Sequence, residues 1–167
     1  IVELTADYRL DPGAFEKALS GRPRIVALTL MSNVLGTVNP VAELATIAKK
    51  AGALVFVDAA QATAHLPLSI HELGPIDFLC FSGHKVFGPT GTGILWGREE
   101  LLREMDPYQY GGDMILRVHD QESFWSELPW KFEAGTPNIS GFIGLGVALD
   151  YVAGVGLTAI AAYEEGL

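Results

Sequence analysis

The chain has 167 residues, 49% hydrophobic and 19% charged, the balance of an ordinary globular domain with room for a buried core. Its net charge of −9 is spread without a basic arm or an acidic tail, which argues against nucleic acid and anionic membranes as partners. A single cysteine, Cys80, cannot close an internal disulfide and so points to a reducing, cytoplasmic setting, and no apolar run reaches the roughly 18 residues of a membrane-spanning helix.

In chain order, Asp11-Pro12 predicts a helix start, with Asp11 as N-cap and Pro12 in the first position, running to about Leu19. Residues 24–30 form a largely apolar run, which predicts a strand buried on both faces of a parallel sheet. A loop over 32–40 leads to an amphipathic helix over 41–51, ended by Gly52. Residues 53–57 predict a second strand with Asp58 at its end, followed by a short helix near 69–73 and a third strand over 76–81. A loop rich in Gly, Pro, His and Lys spans 82–91, then a fourth strand over 92–96 and a helix over 98–105. Residues 106–129 have no clear period and read as a long functional excursion. A helix of small apolar residues is predicted over about 138–152, and another from near Leu157 to the last residue. The alternation gives an α/β domain: a mostly parallel sheet with flanking helices.

Open sheets of this kind bind ligands beyond the carboxyl ends of their strands. Three polar clusters fall at such ends: Asn33; Asp58 with Gln61; and Ser82, His84 and Lys85. A strand-end carboxylate is costly to desolvate unless paired. Asp58 suits either a cap on the following turn or a partner for the N–H of a pyridinium ring, with Gln61 in reach of a ring oxygen. Lys85 taken alone is a solvated loop lysine. It becomes a candidate for covalent chemistry because it sits in a glycine-rich loop after a buried strand, 27 residues past Asp58, and one βαβ unit would bring the two together. Ser82 and His84 are placed to hold a phosphate beside it.

Other motifs carry less. Residues 88–93 lack the Gly-Lys-Ser/Thr of a phosphate-binding P-loop, and Gly144-x-Gly146 lies inside a predicted helix rather than after a strand. Cys80 reads as a buried, inert thiol. His65, His71 and His119 have no metal-ligand spacing, so no metal is expected.

The decapeptide Ser82-Gly83-His84-Lys85-Val86-Phe87-Gly88-Pro89-Thr90-Gly91 resembles the lysine loop of class V, fold-type I enzymes that use pyridoxal 5′-phosphate (PLP). More narrowly it resembles that of the Suf-type (group II) cysteine desulfurases and selenocysteine lyases. Ser32-Asn33-Val34-Leu35-Gly36-Thr37, Val57-Asp58-Ala59-Ala60-Gln61-Ala62, Gly111-Gly112-Asp113-Met114-Ile115 and Phe132-Glu133-Ala134-Gly135-Thr136-Pro137-Asn138 agree with the same family in the same order.

The resemblance implies that Lys85 bonds the cofactor and moves the substrate α-proton. It implies that Asp58 pairs with the pyridine nitrogen and Gln61 reaches the phenolic oxygen. Ser82 and His84 would bind phosphate, Gly135 and Thr136 would complete that site from a neighbouring subunit of a homodimer, and Asn33 would face substrate or cofactor. The implied reaction converts L-cysteine to L-alanine and passes sulfur, by way of an enzyme persulfide, to an acceptor protein for iron–sulfur cluster assembly. Selenocysteine lyase, or another class V aminotransferase or epimerase, shares the lysine and aspartate. A catalytically inactive scaffold of the same fold is the alternative of a different class, against which an intact Lys85, Asp58 and Gln61 argue.

Two departures stand out. Lys131 stands where the family commonly has Arg, keeping the charge and losing the planar fork. The family's sulfur-accepting Cys, its carboxylate-binding Arg, and an upstream phosphate-binding turn with a ring-stacking His are not among these residues, and Cys80 precedes the lysine loop. Residues 1–167 are therefore expected to be part of the large PLP domain, with an upstream segment and a small C-terminal domain outside it, and to be inactive alone.

Overall fold

The computed structural model describes residues 2–167. Its main sheet has four strands, β1 (Ile25–Thr29), β2 (Leu54–Asp58), β3 (Phe78–Ser82) and β4 (Gly93–Gly97), adjacent in that order. β1, β2 and β3 are parallel and β4 is antiparallel to β3. The reversal follows from the connection: residues 83–92 are too few for a crossover helix, so the chain can only turn back alongside β3.

The helices are α1 (Pro12–Leu19), α2 (Val41–Lys50), α3 (Glu99–Glu104), α4 (Ile139–Val155) and α5 (Leu157–Glu165). α1 starts as its sequence predicts, with the Asp11 carboxylate accepting the Ala14 N–H at 2.6 Å, a cap worth about 1 kcal/mol. α2 buries Val41, Leu44, Ala45 and Ala48, the one-sided spacing of an amphipathic helix, and lies on β2. Val55 and Val57, both fully buried, meet it with Phe15 of α1 in the main core.

A second, smaller core joins four other pieces. Ala64, on the short 3-10 turn Ala62–Ala64, and Val86, on the 3-10 turn Gly83–Val86, pack with Leu145 and Val152 of α4. Leu157 and Ile160 of α5 lie against this cluster. α4 is apolar around its whole circumference and leaves Phe142, Ile143, Val147 and Tyr151 exposed. Among the described residues no single helix is long and apolar enough to cross a membrane.

The observed elements depart from the predicted ones in four places. β1 is unevenly buried among the described residues: Ile25 is 57% exposed while Leu28 is buried. The expected helix at 69–73 is one turn, because Gly74 leaves it at φ 77°. The excursion at 106–129 contains a hairpin, β5 (Ile115–Val118) with β6 (Ser123–Trp125). α5 ends at Glu165, with Gly166 as its C-cap.

Candidate active site

The strand register sets the site. Thr29 pairs with Asp58 and Asp58 with Cys80, so β1 and β2 end level with one another while β3 runs two residues further, to Ser82. The loops that follow these ends carry the polar groups. A cavity of about 610 Å³ opens there, lined by Asn33, Asp58, Gln61 and Lys85 together with Ser32, Thr37 and Tyr8. That volume is typical of small-molecule and cofactor sites.

Asp58 does two things at once. Its Oδ1 accepts the Ala60 N–H at 2.9 Å, so it caps the turn after β2, while Oδ2 makes no hydrogen bond to the described residues. The alternatives left open by the sequence are compatible, since a carboxylate has acceptor capacity for both. Gln61, three residues on, opens the Ala62–Ala64 turn. Thr63 N–H and Oγ1 both donate to the Ala59 carbonyl, at 3.0 and 2.8 Å, and tie that turn to the strand end.

Lys85 is held by backbone. The Gly83 N–H donates to the Thr92 carbonyl at 2.9 Å, and the Gly88 N–H to the Gly83 carbonyl at 2.9 Å, closing the lysine turn on itself. Gly83 admits no side chain: a Cβ there would collide with the Thr92 hydroxyl. A Cβ on Gly88 would sit 2.8 Å from Leu145 of α4 and 2.8 Å from the Gly83 carbonyl. The turn exits through Phe87 in the left-handed region, φ 62°, a conformation costly for a residue with a Cβ. The Phe87 ring meets Tyr151 edge-on, centroids 6.2 Å apart.

The remaining predicted residues are not in the lining of this cavity. Ser82 ends β3, half-buried, and His84 is exposed on the lysine turn. Gly135 lines a separate pocket of about 450 Å³ with Ile94, Phe132 and Phe142, and Thr136 beside it is exposed. Two of the sequence motifs meet here: the Gly135 N–H donates to the Gly112 carbonyl at 2.9 Å, and a Cβ on Gly111 would lie 2.9 Å from the Gly135 nitrogen. Lys131 donates to the carbonyls of Leu102 and Arg103 at 3.3 and 2.8 Å, closing the end of α3 with a point charge where no fork is needed.

Cys80 sits in β3 opposite Asp58. Burial pushes its thiol pKa up and the Asp58 charge adds to the effect, so the thiolate is disfavoured.

One cluster escapes the sequence motifs. Asp77, 2% exposed, accepts from the Val55 N–H at 2.7 Å and from the Lys49 ammonium at 2.9 Å, with the Arg98 guanidinium at 3.4 Å. It joins α2, β2, β3 and the end of β4 below the site. Its only trace in the sequence is a charge next to an apolar strand, a pattern that buried carboxylates share with exposed ones.

The chemistry of the lining suits PLP: a carboxylate for a pyridinium N–H, an amide for a phenolic oxygen, and a primary amine for an aldehyde carbon, all on one cavity. The whole chain, residues 1–167, matches the model of the aminotransferase class-V family. It is 48% identical over 168 residues to a cysteine desulfurase of Escherichia coli, covering all of this chain and 41% of that protein. It is 53% identical to one of Klebsiella pneumoniae, covering 93% of this chain and 37% of that protein. Among solved structures, the apo cysteine desulfurase of Thermococcus onnurineus superimposes with a TM-score of 0.89 at 40% identity, over 97% of this chain and 40% of that one. A cysteine desulfurase of E. coli, solved in an S-sulfonic acid form, gives 0.85 at 44% identity, over 90% and 37%. The chain thus spans about two fifths of the length of these proteins.

Proposed function

From the membership of this chain in the aminotransferase class-V family we propose that it is part of the large PLP-binding domain of a cysteine desulfurase. The observation that carries the proposal is the cavity shared by Asp58, Gln61 and Lys85 at the carboxyl ends of neighbouring parallel strands. The desulfurase relatives, each matched over most of this chain, support the same reaction class.

PLP, when bound, supplies the electron sink that makes the substrate Cα–H acidic. The residues do the rest. Lys85 would hold the cofactor through its Nζ, and the same atom would take up the substrate α-proton. Asp58, through the oxygen left free by the Ala60 cap, keeps the pyridine nitrogen protonated. Gln61 donates to the phenolic oxygen and Asn33 faces the substrate from the loop after β1. Ser82 and His84 flank Lys85 and take the phosphate, with Gly135 and Thr136 of a second subunit completing that site. The exposed apolar residues of α4 offer surface for such a homodimer. Sulfur leaves to a cysteine elsewhere in the protein and from there to an acceptor protein in the cytoplasm. Cys80 is not that cysteine, because its thiol is half-buried in a strand and its thiolate is disfavoured.

The test uses the complete protein. Incubation with PLP and borohydride should fix the cofactor on the peptide carrying Lys85, and incubation with L-cysteine should release alanine and persulfide sulfur in equal amounts. No adduct on Lys85 would overturn the cofactor assignment. A keto acid, or a racemised amino acid, in place of alanine would move the protein to an aminotransferase or epimerase.

A further inference from the structure

The second core links the two segments that carry the cofactor residues, and it is closed on its outer side by one side-chain hydrogen bond. His65 is the C-cap of the Ala62–Ala64 turn, directly after Gln61. Its Nδ1 lies 2.8 and 3.0 Å from the two oxygens of Glu164, a residue 99 positions away on α5. The contact requires a hydrogen on Nδ1, which either the neutral ring or the cation can carry. α5 buries no residue fully and reaches the cluster only through half-buried Leu157 and Ile160. The Glu164 carboxylate is therefore its one directional contact with the cofactor side of the molecule among the described residues.

We infer that Glu164 is a positioning residue for the cofactor pocket, acting through His65 on the Ala62–Ala64 turn that follows Asp58 and Gln61. The inference rests on the PLP reading above.

The turn transmits small displacements because it has little slack. The His65 and Leu66 N–H groups both donate to the Ala62 carbonyl, at 3.1 and 2.9 Å, and Thr63 binds the Ala59 carbonyl twice. Ala59, Ala62 and Ala64 are buried, so the segment cannot roll without opening the packing around them. On its other side Ala64 meets Val86 of the lysine turn within the same cluster. Holding His65 thus holds Gln61 from behind and fixes the spacing between the Asp58 segment and the Lys85 turn. α4 contributes by wedging Leu145 against Gly83 and Gly88, and α5 contributes by the Glu164–His65 hydrogen bond.

The experiment takes the complete protein loaded with PLP and compares Glu164→Ala, His65→Ala, the double variant, and His65→Lys, which keeps a hydrogen-bond donor opposite Glu164. The readouts are the rate at which bound PLP is lost during exhaustive washing and the melting temperature of the cofactor-free protein. Each single alanine variant should lose PLP about two- to fivefold faster, the range an exposed pair supports. The double variant should be no worse than either single, since the two act as a unit. His65→Lys should restore retention. Wild-type retention in Glu164→Ala would overturn the inference. So would additive single effects, or faster loss that merely follows a lowered melting temperature of the cofactor-free protein. A wild-type protein that takes up no PLP overturns the cofactor assignment itself, and shows it before any variant is made.

Discussion

Cys80 stands directly opposite Asp58 in the ladder between β2 and β3, so the one thiol of the chain and the carboxylate of its cavity share a register position. Two consequences follow for the thiol. Burial raises its pKa, and the adjacent negative charge raises it further. Because alkylation goes through the thiolate, the rate with iodoacetamide should climb at higher pH than for a cysteine in an unfolded peptide. The sign is fixed by the direction of the shift: at any given neutral pH a raised pKa means less thiolate. Asp58→Asn, which removes the charge, should bring the profile part of the way back. A profile at or below that of the free peptide would contradict the placement.

The double duty of Asp58 can be separated by the same substitution. The amide oxygen of Asp58→Asn still accepts the Ala60 N–H, so the turn keeps its cap and the folded protein should melt near the wild-type temperature. The charge that would hold a pyridine nitrogen protonated is gone. Turnover of the complete protein with cysteine should fall about a hundredfold or more, the size of effect seen when charge stabilisation or proton transfer is removed. Lys85→Arg keeps a cation that does not give up its proton, and should abolish the borohydride adduct altogether.

Gly83 is the tightest position on the lysine turn. Gly83→Ala should cost about 1–3 kcal/mol in denaturant stability, because the added Cβ meets the Thr92 hydroxyl at once. Thr92→Ala in the same protein removes the atom it strikes and should recover part of the loss. If the single substitution were neutral, the lysine turn would have to be looser than its packing against Thr92 and Leu145 allows.

Asp77 carries weight out of proportion to its distance from the cavity. Asp77→Ala leaves the buried Val55 N–H without an acceptor and Lys49 and Arg98 without their common anion. A loss of about 3 kcal/mol is expected in urea denaturation. Asp77→Asn keeps an acceptor for Val55 and should lose less. Equal losses in the two variants would mean that the ion pairs matter and the backbone bond does not.

Much of the site is legible before folding is considered. The lysine turn, the strand-end aspartate and the glutamine three residues later are local features. A carboxylate that caps the turn after its own strand needs only neighbours in sequence, whereas the closed space at Gly83 and Gly88 comes from Thr92 and from Leu145 of α4. The apolar runs of β2 and β3 and the one-sided pattern of α2 likewise announce themselves, because strand and helix periodicities are short-range properties of the chain.

What the sequence by itself determined is therefore the set of chemical groups and the α/β frame that carries them to the ends of adjacent strands. The tertiary structure decided the rest. β4 runs antiparallel because of the length of a loop. Asp77 became the shared anion of Lys49 and Arg98, and His65 found Glu164 across 99 residues. Each of these depends on which distant surfaces come together, and a pairing energy between residues far apart in the chain leaves no periodic trace in either partner.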